Sequence, residues 1–278
     1  METLRYGYLG VEEGAGDITA LPQLGGMVIP RAVAVVGFKA AGKTRVVEAL
    51  VAELTRRGYR VGTLKHTTDD QPLDKQGTDT WRHAEAGAVS SAILSDNRTA
   101  IFLKRAMNLQ GAADALGEVD FIVLEGFKAL DVAPRIIVPR TQDEVATLMT
   151  GLEIAAVDVE DKRLDSSALP LIMLNDSIAL GDIVEKWAYP LLGGLNCNAC
   201  GSPTCRELGK KILAGEGSAE SCVKYSHEVL LRVDGSVIPL NKFTGSTLAN
   251  VVLGFMKTLK GSEVPYRVEL EFEVREDA

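Results

Sequence analysis

The feature that most limits how this chain can fold is a strand–loop–helix passage starting at Ala32. "AVAVVGF" is a short, valine-rich apolar run, a strand rather than a helix. It leads into "GFKAAGKT", Gly37 to Thr44, which fits G-x-x-x-x-G-K-T, and "RVVEALVAELTRRGY" continues with helical periodicity. In such a loop the main-chain amides turn inward and make an anion nest, and the helix N-terminus adds a favourable field for phosphate. The candidate cradle is Gly37, Ala40, Ala41, Gly42, Lys43, Thr44 and Arg45. Lys43 is expected to reach the β- and γ-phosphates as a catalytic charge, and Thr44 to ligate Mg²⁺. Gly37 and Gly42 permit a backbone too tight for larger residues.

The rest of the first 190 residues repeats the strand and helix theme. "YRVGTLKHT" ends on Lys65 and His66, at the carboxyl edge where open α/β sheets bind ligands. His66 is either a phosphate contact or a strand-end polar residue. The run "TDDQPLDKQGTDTWRHAEAGA" crowds Asp69, Asp70, Asp74 and Asp79 together, as a solvated loop or one that meets substrate or metal. "VSSAILSDNRTAIFLK" reads as strand, turn, strand, and "RAMNLQGAADALGEV" as a helix. "DFIVLEGFK" is a buried strand with Asp120 at its start and Glu125 at its exit. Glu125 can order an attacking water or a metal-bound water, or it is a strand-end surface acid; Asp120 lies at the far end. "PRIIVPR", "IAAVDV" and "LPLIMLND" are further strands, and "SIALGDIVEKWAYPLL" is a helix that stops before Pro190. Five or more strands with intervening helices make a doubly wound α/β sheet of P-loop NTPase type. No N-K-x-D run occurs, so guanine and adenine are not distinguished by that motif.

All four cysteines fall in "CNACGSPTCRELGKKILAGEGSAESC", spaced C-x2-C-x4-C-x16-C: Cys197, Cys200, Cys205 and Cys222. Four thiolates can hold a [4Fe–4S] cube with each iron bound once; zinc is the alternative. Beyond them lie a hairpin with Asp234-Gly235 at its turn, a helix with Asn241 at its start, and a strand. In that strand Val268, Leu270, Phe272 and Val274 alternate with Glu269, Glu271 and Glu273. The expected organisation is an N-terminal arm (1–26), a nucleotide-binding domain (27–190) and a small α+β four-cysteine domain (191–278). A net charge of -8 argues against a nucleic-acid binder. No apolar run reaches about 18 residues, and the N-terminus lacks signal-peptide character, so a cytoplasmic protein without a membrane span is expected. Disulfides are uncommon there, which favours ligation for the clustered thiols.

Residues from about 32 to 188 resemble the molybdopterin-guanine dinucleotide biosynthesis protein B family, through "GFKAAGKT", "LKHTTDD", "DKQGTDTWRHAEAGA", "DFIVLEGFK" and the late "LND". That resemblance implies a dimeric P-loop protein that binds GTP (with ATP left open) and Mg²⁺. It implies weak GTPase activity and a role in molybdenum or tungsten pterin cofactor maturation, with molybdopterin and its biosynthesis enzymes as partners. It also implies a phosphate cradle from Gly37 to Thr44, Glu125 near the metal, and Asp74, Lys75, Gly77 and Asp79 in the loop beyond the second strand. The family's histidine-rich run is replaced here by "HTTDD". Residues from about 192 to 225 resemble the four-cysteine domain of corrinoid iron–sulfur proteins and of a ferredoxin-oxidising complex, which implies a [4Fe–4S] cluster. Two alternatives remain: a nucleotide-driven electron-transfer protein that activates another metalloenzyme, and a non-catalytic adaptor.

Overall fold

The computed structural model describes residues 23–24, 27–67, 73–160, 164–165, 169–225, 229, 231–233, 236–238, 240, 242–256 and 258. Asp69, Asp70, Asp234, Gly235, Asn241, the arm through residue 22 and the terminal strand lie outside them. A two-residue ladder, β1 (Gln23–Leu24) with β2 (Met27–Val28), precedes the main sheet.

The apolar run at Ala32 is β3 (Arg31–Val36), buried along its whole length. It leads through the glycine loop into α1 (Lys43–Arg56), and then to β4 (Val61–Lys65). Next come α2 (Asp79–Glu85), the hairpin β5 (Ser90–Leu94) and β6 (Thr99–Leu103), α3 (Leu109–Asp114) and β7 (Phe121–Glu125). The second half of the sheet comes from β8 (Arg135–Ile137), α4 (Gln142–Leu148), β9 (Glu153–Asp158), β10 (Leu171–Met173), α5 (Ser177–Trp187) and β11 (Tyr189–Pro190). Helix α6 (Cys205–Leu213), a 3₁₀ turn (Ala219–Ser221), the ladder β12 (Leu231–Val233) with β13 (Ser236–Ile238), and α7 (Lys242–Met256) complete the chain. The expected doubly wound sheet is present. Its strand order is β10-β9-β8-β3-β7-β4, all parallel, and β11 pairs antiparallel with the start of β3.

Strand alternation divides the core into two layers. Val33, Val35, Phe121 and Val123 face α1 and α5, where Val46, Leu50, Leu54, Leu180 and Val184 are buried against them. Ala32, Ala34, Ile122 and Leu124 face the other way, and that layer takes in Leu191, Leu192, Cys205, Leu208, Cys222 and Tyr225. The four-cysteine segment therefore supplies part of the second covering layer of the sheet. Backbone and side chains tie it down. Leu192 N donates to Val132 O at 3.0 Å, Gln110 Nε2 to Leu192 O at 2.9 Å, and the buried Tyr225 hydroxyl to Leu191 O at 2.6 Å.

At the opposite end of the sheet, charges lock α1 to α5. Glu53 accepts from Arg56 and Arg57, and Arg57 reaches Asp182 at 2.8 Å and also Glu185. Hydrogen bonds from the two guanidiniums hold the Glu53 carboxyl at about 2, below the ordinary value of 4.5. A depressed carboxylate stabilises the fold fully above its unfolded value, and that contribution is lost as pH falls toward 2. Glu53→Gln should therefore reduce the loss of stability between about pH 5 and about pH 3. Urea midpoints of the two proteins across that range check this; parallel acid dependence would remove Glu53 as a source.

Candidate functional site

The sheet register builds the site. In the parallel ladders Val35, Glu125 and Lys65 form one row across β3, β7 and β4. These residues share a side of the sheet, the side on which α1 packs. The Glu125 carboxylate thus arrives beside the first turn of α1. Thr44 Oγ1 donates to Glu125 Oε1 at 2.8 Å, and Lys65 Nζ lies 3.0 Å from the same oxygen. The row is carried one residue further by Gly126 N donating to Val35 O and His66 N to Glu125 O, each at 3.0 Å.

The loop that precedes α1 needs its glycines for identifiable reasons. Gly42 has φ +90°, and a Cβ there would stand 2.9 Å from Val159 Cγ1. A Cβ on Gly37 would meet Val138 O at 2.6 Å. Ala40 also takes a left-handed φ of 61°. Lys43 folds back over the loop, its ammonium donating to Phe38 O at 2.7 Å. Burial lowers its pKa, with the Glu125 charge opposing that shift. The cavity over the loop is about 560 Å³ and is bounded by the Gly37–Arg45 loop, by Lys65, His66 and Thr67, and by Glu125 through Lys128.

Of the residues singled out from sequence, Gly37, Ala40, Ala41, Gly42, Lys43, Thr44, Arg45, His66 and Glu125 all line this cavity. Asp74 and Asp79 do not. Asp74 accepts from Thr78 Oγ1 at 3.1 Å, and Asp79 opens α2, beside a separate open depression formed with Ile93. Asp120 sits at the other end of β7, accepting from Arg60 N at 2.7 Å and from its guanidinium, which holds its carboxyl low. Sequence reasoning missed Lys128 and Arg140, which flank the loop over the Phe38 ring, 3.6 Å and 5.5 Å from its centroid. Their only signal was position: each lies a few residues past the end of a sheet strand.

The cysteines occupy the segment that covers the second sheet face. Cys205 opens α6, and its amide donates to Asn196 Oδ1 at 2.8 Å. Gly193 N donates to Cys222 Sγ at 3.4 Å, while burial pushes the Cys222 thiol up. Cys200 and Cys205 both act electrostatically on Cys222. Cys197 is exposed on a turn whose flanking residues, Asn196 and Asn198, both have left-handed φ. Among the described residues, no three His, Cys, Asp or Glu side chains are assembled as a group that could hold a metal ion. Four thiols within one short segment, one of them accepting from Gly193 N, are nonetheless the donor type that a thiolate-ligated group uses.

One loop joins the two regions. Residues Gly126, Phe127 and Lys128 line the cavity, and Asp131, three residues on, accepts from Arg206 of α6 at 2.6 Å. Below it, the buried Arg135 donates to Lys128 O at 3.2 Å and to Thr150 Oγ1 at 3.0 Å, and faces the buried Glu153.

Comparison with known proteins adds the following. The profile of the family described as molybdopterin guanine dinucleotide synthesis protein B matches residues 32–160, and a profile for an Fe–S cluster segment matches residues 192–224. A molybdopterin-guanine dinucleotide biosynthesis adapter protein of Methanocaldococcus jannaschii is 30% identical over 248 residues, which is 88% of this chain and 98% of that one. The Escherichia coli adapter protein is 30% identical over 158 residues, covering 54% of this chain and 89% of that one. The crystal structure of Bacillus subtilis MobB superposes with a TM-score of 0.50 at 24% identity, covering 56% of this chain and 97% of that one, a likeness of fold.

Gly42→Ala should destabilise the protein by about 1–3 kcal/mol, since it combines a left-handed φ with the approach to Val159. Urea unfolding checks this; a cost below about 0.5 kcal/mol would show that the loop relaxes freely.

Proposed function

Since this chain belongs to the molybdopterin guanine dinucleotide synthesis protein B family, whose archaeal member it matches over 98% of that protein's length, we propose that it is a GTP–Mg²⁺-binding accessory protein of molybdenum or tungsten pterin cofactor maturation. In this reading it is a slow GTPase that also carries a [4Fe–4S] cluster. The observation that carries the nucleotide half is the convergence of Lys43, Thr44 and Glu125 on the cavity above a glycine loop. Amides of the loop from Ala40 to Arg45 donate to phosphate oxygens. Lys43 leaves the Phe38 carbonyl for the β- and γ-phosphates. Thr44 and Glu125 would hold Mg²⁺, which would supply charge neutralisation for transfer of the γ-phosphoryl group to water. Among the described residues Glu125 is the one carboxylate that lines the cavity, and holding the metal would occupy it, which supports slow turnover. ATP remains the alternative nucleotide. His66 would contact the phosphates from the cavity wall, and Asp74 and Asp79, which lie outside that cavity, would meet a second ligand or a partner.

Cys197, Cys200, Cys205 and Cys222 hold the cluster in this proposal, which would supply one-electron transfer. The buried Cys205 and Cys222 anchor it to the sheet, and the exposed Cys197 closes the set. We place the pterin and its biosynthesis enzymes among the partners. We also propose a homodimer, supported by the β5–β6 hairpin. It pairs only with itself among the described strands and exposes Leu94 and Ile101, which a second copy can cover. No described helix is long and apolar enough to cross a membrane, and a cytoplasmic location is proposed on that footing together with the clustered thiols.

A second reading, nucleotide-gated electron transfer, draws support from the loop shared by both sites, Glu125 to Asp131. A cluster potential that shifts when GTP is added would favour it; an unchanged potential favours the maturation factor.

Lys43→Ala should weaken GTP binding by at least about tenfold, the usual scale for a charge-assisted contact to phosphate. Isothermal titration checks it, and an unchanged affinity would defeat the nucleotide reading. Cys205→Ser should lower the iron and acid-labile sulfide content of anaerobically purified protein and its thermal stability. Full iron and sulfide in that variant would remove Cys205 from the ligand set, and zinc without sulfide in the parent protein would replace the cluster with a structural metal.

A further inference from the structure

We propose that Lys65 is an internal placeholder cation that makes metal binding conditional on nucleotide. This rests on the nucleotide reading above. One oxygen, Glu125 Oε1, takes both the Thr44 hydroxyl at 2.8 Å and the Lys65 ammonium at 3.0 Å. Thr44 and Glu125 are the two groups proposed to hold the divalent ion, so the ammonium already occupies one of the approaches a metal would use.

Three other cations around the loop are held elsewhere. Lys43 is on the Phe38 carbonyl at 2.7 Å, Lys128 is over the Phe38 ring, and Arg140 is clasped to Glu144 at 2.8 Å. Among the described residues, Lys65 is the cation ion-paired with Glu125. The sheet enforces that pairing, because Lys65 and Glu125 are direct partners in the β4–β7 register. Yet the Lys65 side chain is 61% exposed while that of Glu125 is 12% exposed. The lysine head is therefore free to swing and the carboxylate is not.

Two consequences follow. A divalent ion arriving alone must displace an ammonium from a nearly buried carboxylate, and the displaced charge gains no new partner. A nucleoside triphosphate changes that balance, because Lys65 lines the same cavity and its ammonium can turn to the phosphate oxygens. That vacates Glu125 for the metal. Nucleotide and metal thus favour each other's binding through one side chain, and the coupling is equal in both directions.

The test measures Mn²⁺ and GTP binding separately and together, for the full-length parent protein and for Lys65→Met and Lys65→Arg. Free Mn²⁺ is read by electron paramagnetic resonance and GTP by titration calorimetry, with EDTA present where metal is to be absent. Lys65→Met should bind Mn²⁺ alone about tenfold more tightly than the parent, the scale of one unit charge removed from a partly screened site. It should bind metal-free GTP several-fold more weakly, and the factor by which GTP tightens Mn²⁺ should shrink. Lys65→Arg should keep the parent's order of affinities. With Glu125→Gln in the background, Lys65→Met should give no further gain in Mn²⁺ affinity. The proposal is overturned if Lys65→Met leaves Mn²⁺-alone affinity unchanged, or moves Mn²⁺ and GTP affinity in the same direction. A parent protein that bound no GTP would instead defeat the nucleotide reading, while the Mn²⁺-alone comparison would still decide whether Lys65 guards Glu125.

Discussion

The parallel register of β4, β7 and β3 is the constraint on which the site depends. It sets Lys65, Glu125 and Val35 in one row, and the alternation of the strands turns that row toward α1. Slipping β7 by one residue would send Glu125 to the opposite face, away from Thr44. The register is secured by burial: β3 and β7 are apolar on both faces and covered on both, so a slip would expose no polar face that water could compensate. Packing energy in the sheet thereby becomes positional accuracy at its carboxyl edge. The 2.8 Å bond between helix and strand is a product of that accuracy more than a contributor to stability.

Covering the second face raises a different problem. The helices available there before Pro190 are short: α3 has six residues and α4 seven. Small residues on the strands, Ala32, Ala34 and Ala156, leave room for something to lie close to the sheet. The four-cysteine segment fills it with Leu191, Leu192, Leu208, Tyr225 and two of the thiols. Gly209 shows how close the approach is, since a Cβ there would meet Leu152 Cδ2 at 2.7 Å and the Tyr189 hydroxyl at 2.6 Å. The thiols are thus held by the same core that holds β3, and the two regions are not joined merely by a linker.

Much of the nucleotide side was legible in the chain, because its signals are local. Strand, glycine loop and helix are consecutive, and Glu125 is marked by four apolar residues before it and a glycine after it. The cysteine spacing was equally plain. What was not legible depends on partners far apart in sequence. Lys65 and Glu125 are sixty residues apart, and only the strand order makes them neighbours. The stacking of Lys128 and Arg140 on Phe38 needs three loops to converge. The acids of the "DKQGTDT" run read equally as a solvated loop or as one that meets substrate or metal; in the fold Asp74 makes a local bond to Thr78, as an aspartate before a helix often does. That the cysteines share a core with the sheet could not be read from "LLGGLN", whose two glycines suggest a linker while its leucines are the anchor.

The buried charges beneath residues 126–131 help to tie down the loop between the two regions. Arg135 and Glu153 are almost wholly removed from water, a pairing that carries a desolvation cost as large as its attraction. Burial lowers the Arg135 pKa, and Glu153 opposes that shift. Most of the pair's remaining valences are used, with the buried Arg135 Nε left over. Glu153 accepts from the amides of Thr150 and Gly151, and Arg135 donates to the Lys128 carbonyl. The last bond pins the backbone of a residue that lines the cavity over the glycine loop, and three residues later Asp131 is pinned by Arg206 on the cysteine helix. A hydrophobic pair of the same volume would fill the space without a directional bond to the Lys128 carbonyl. The charged pair supplies that bond, and its value to the protein is better measured by the single path it imposes between the two sites than by any gain in stability.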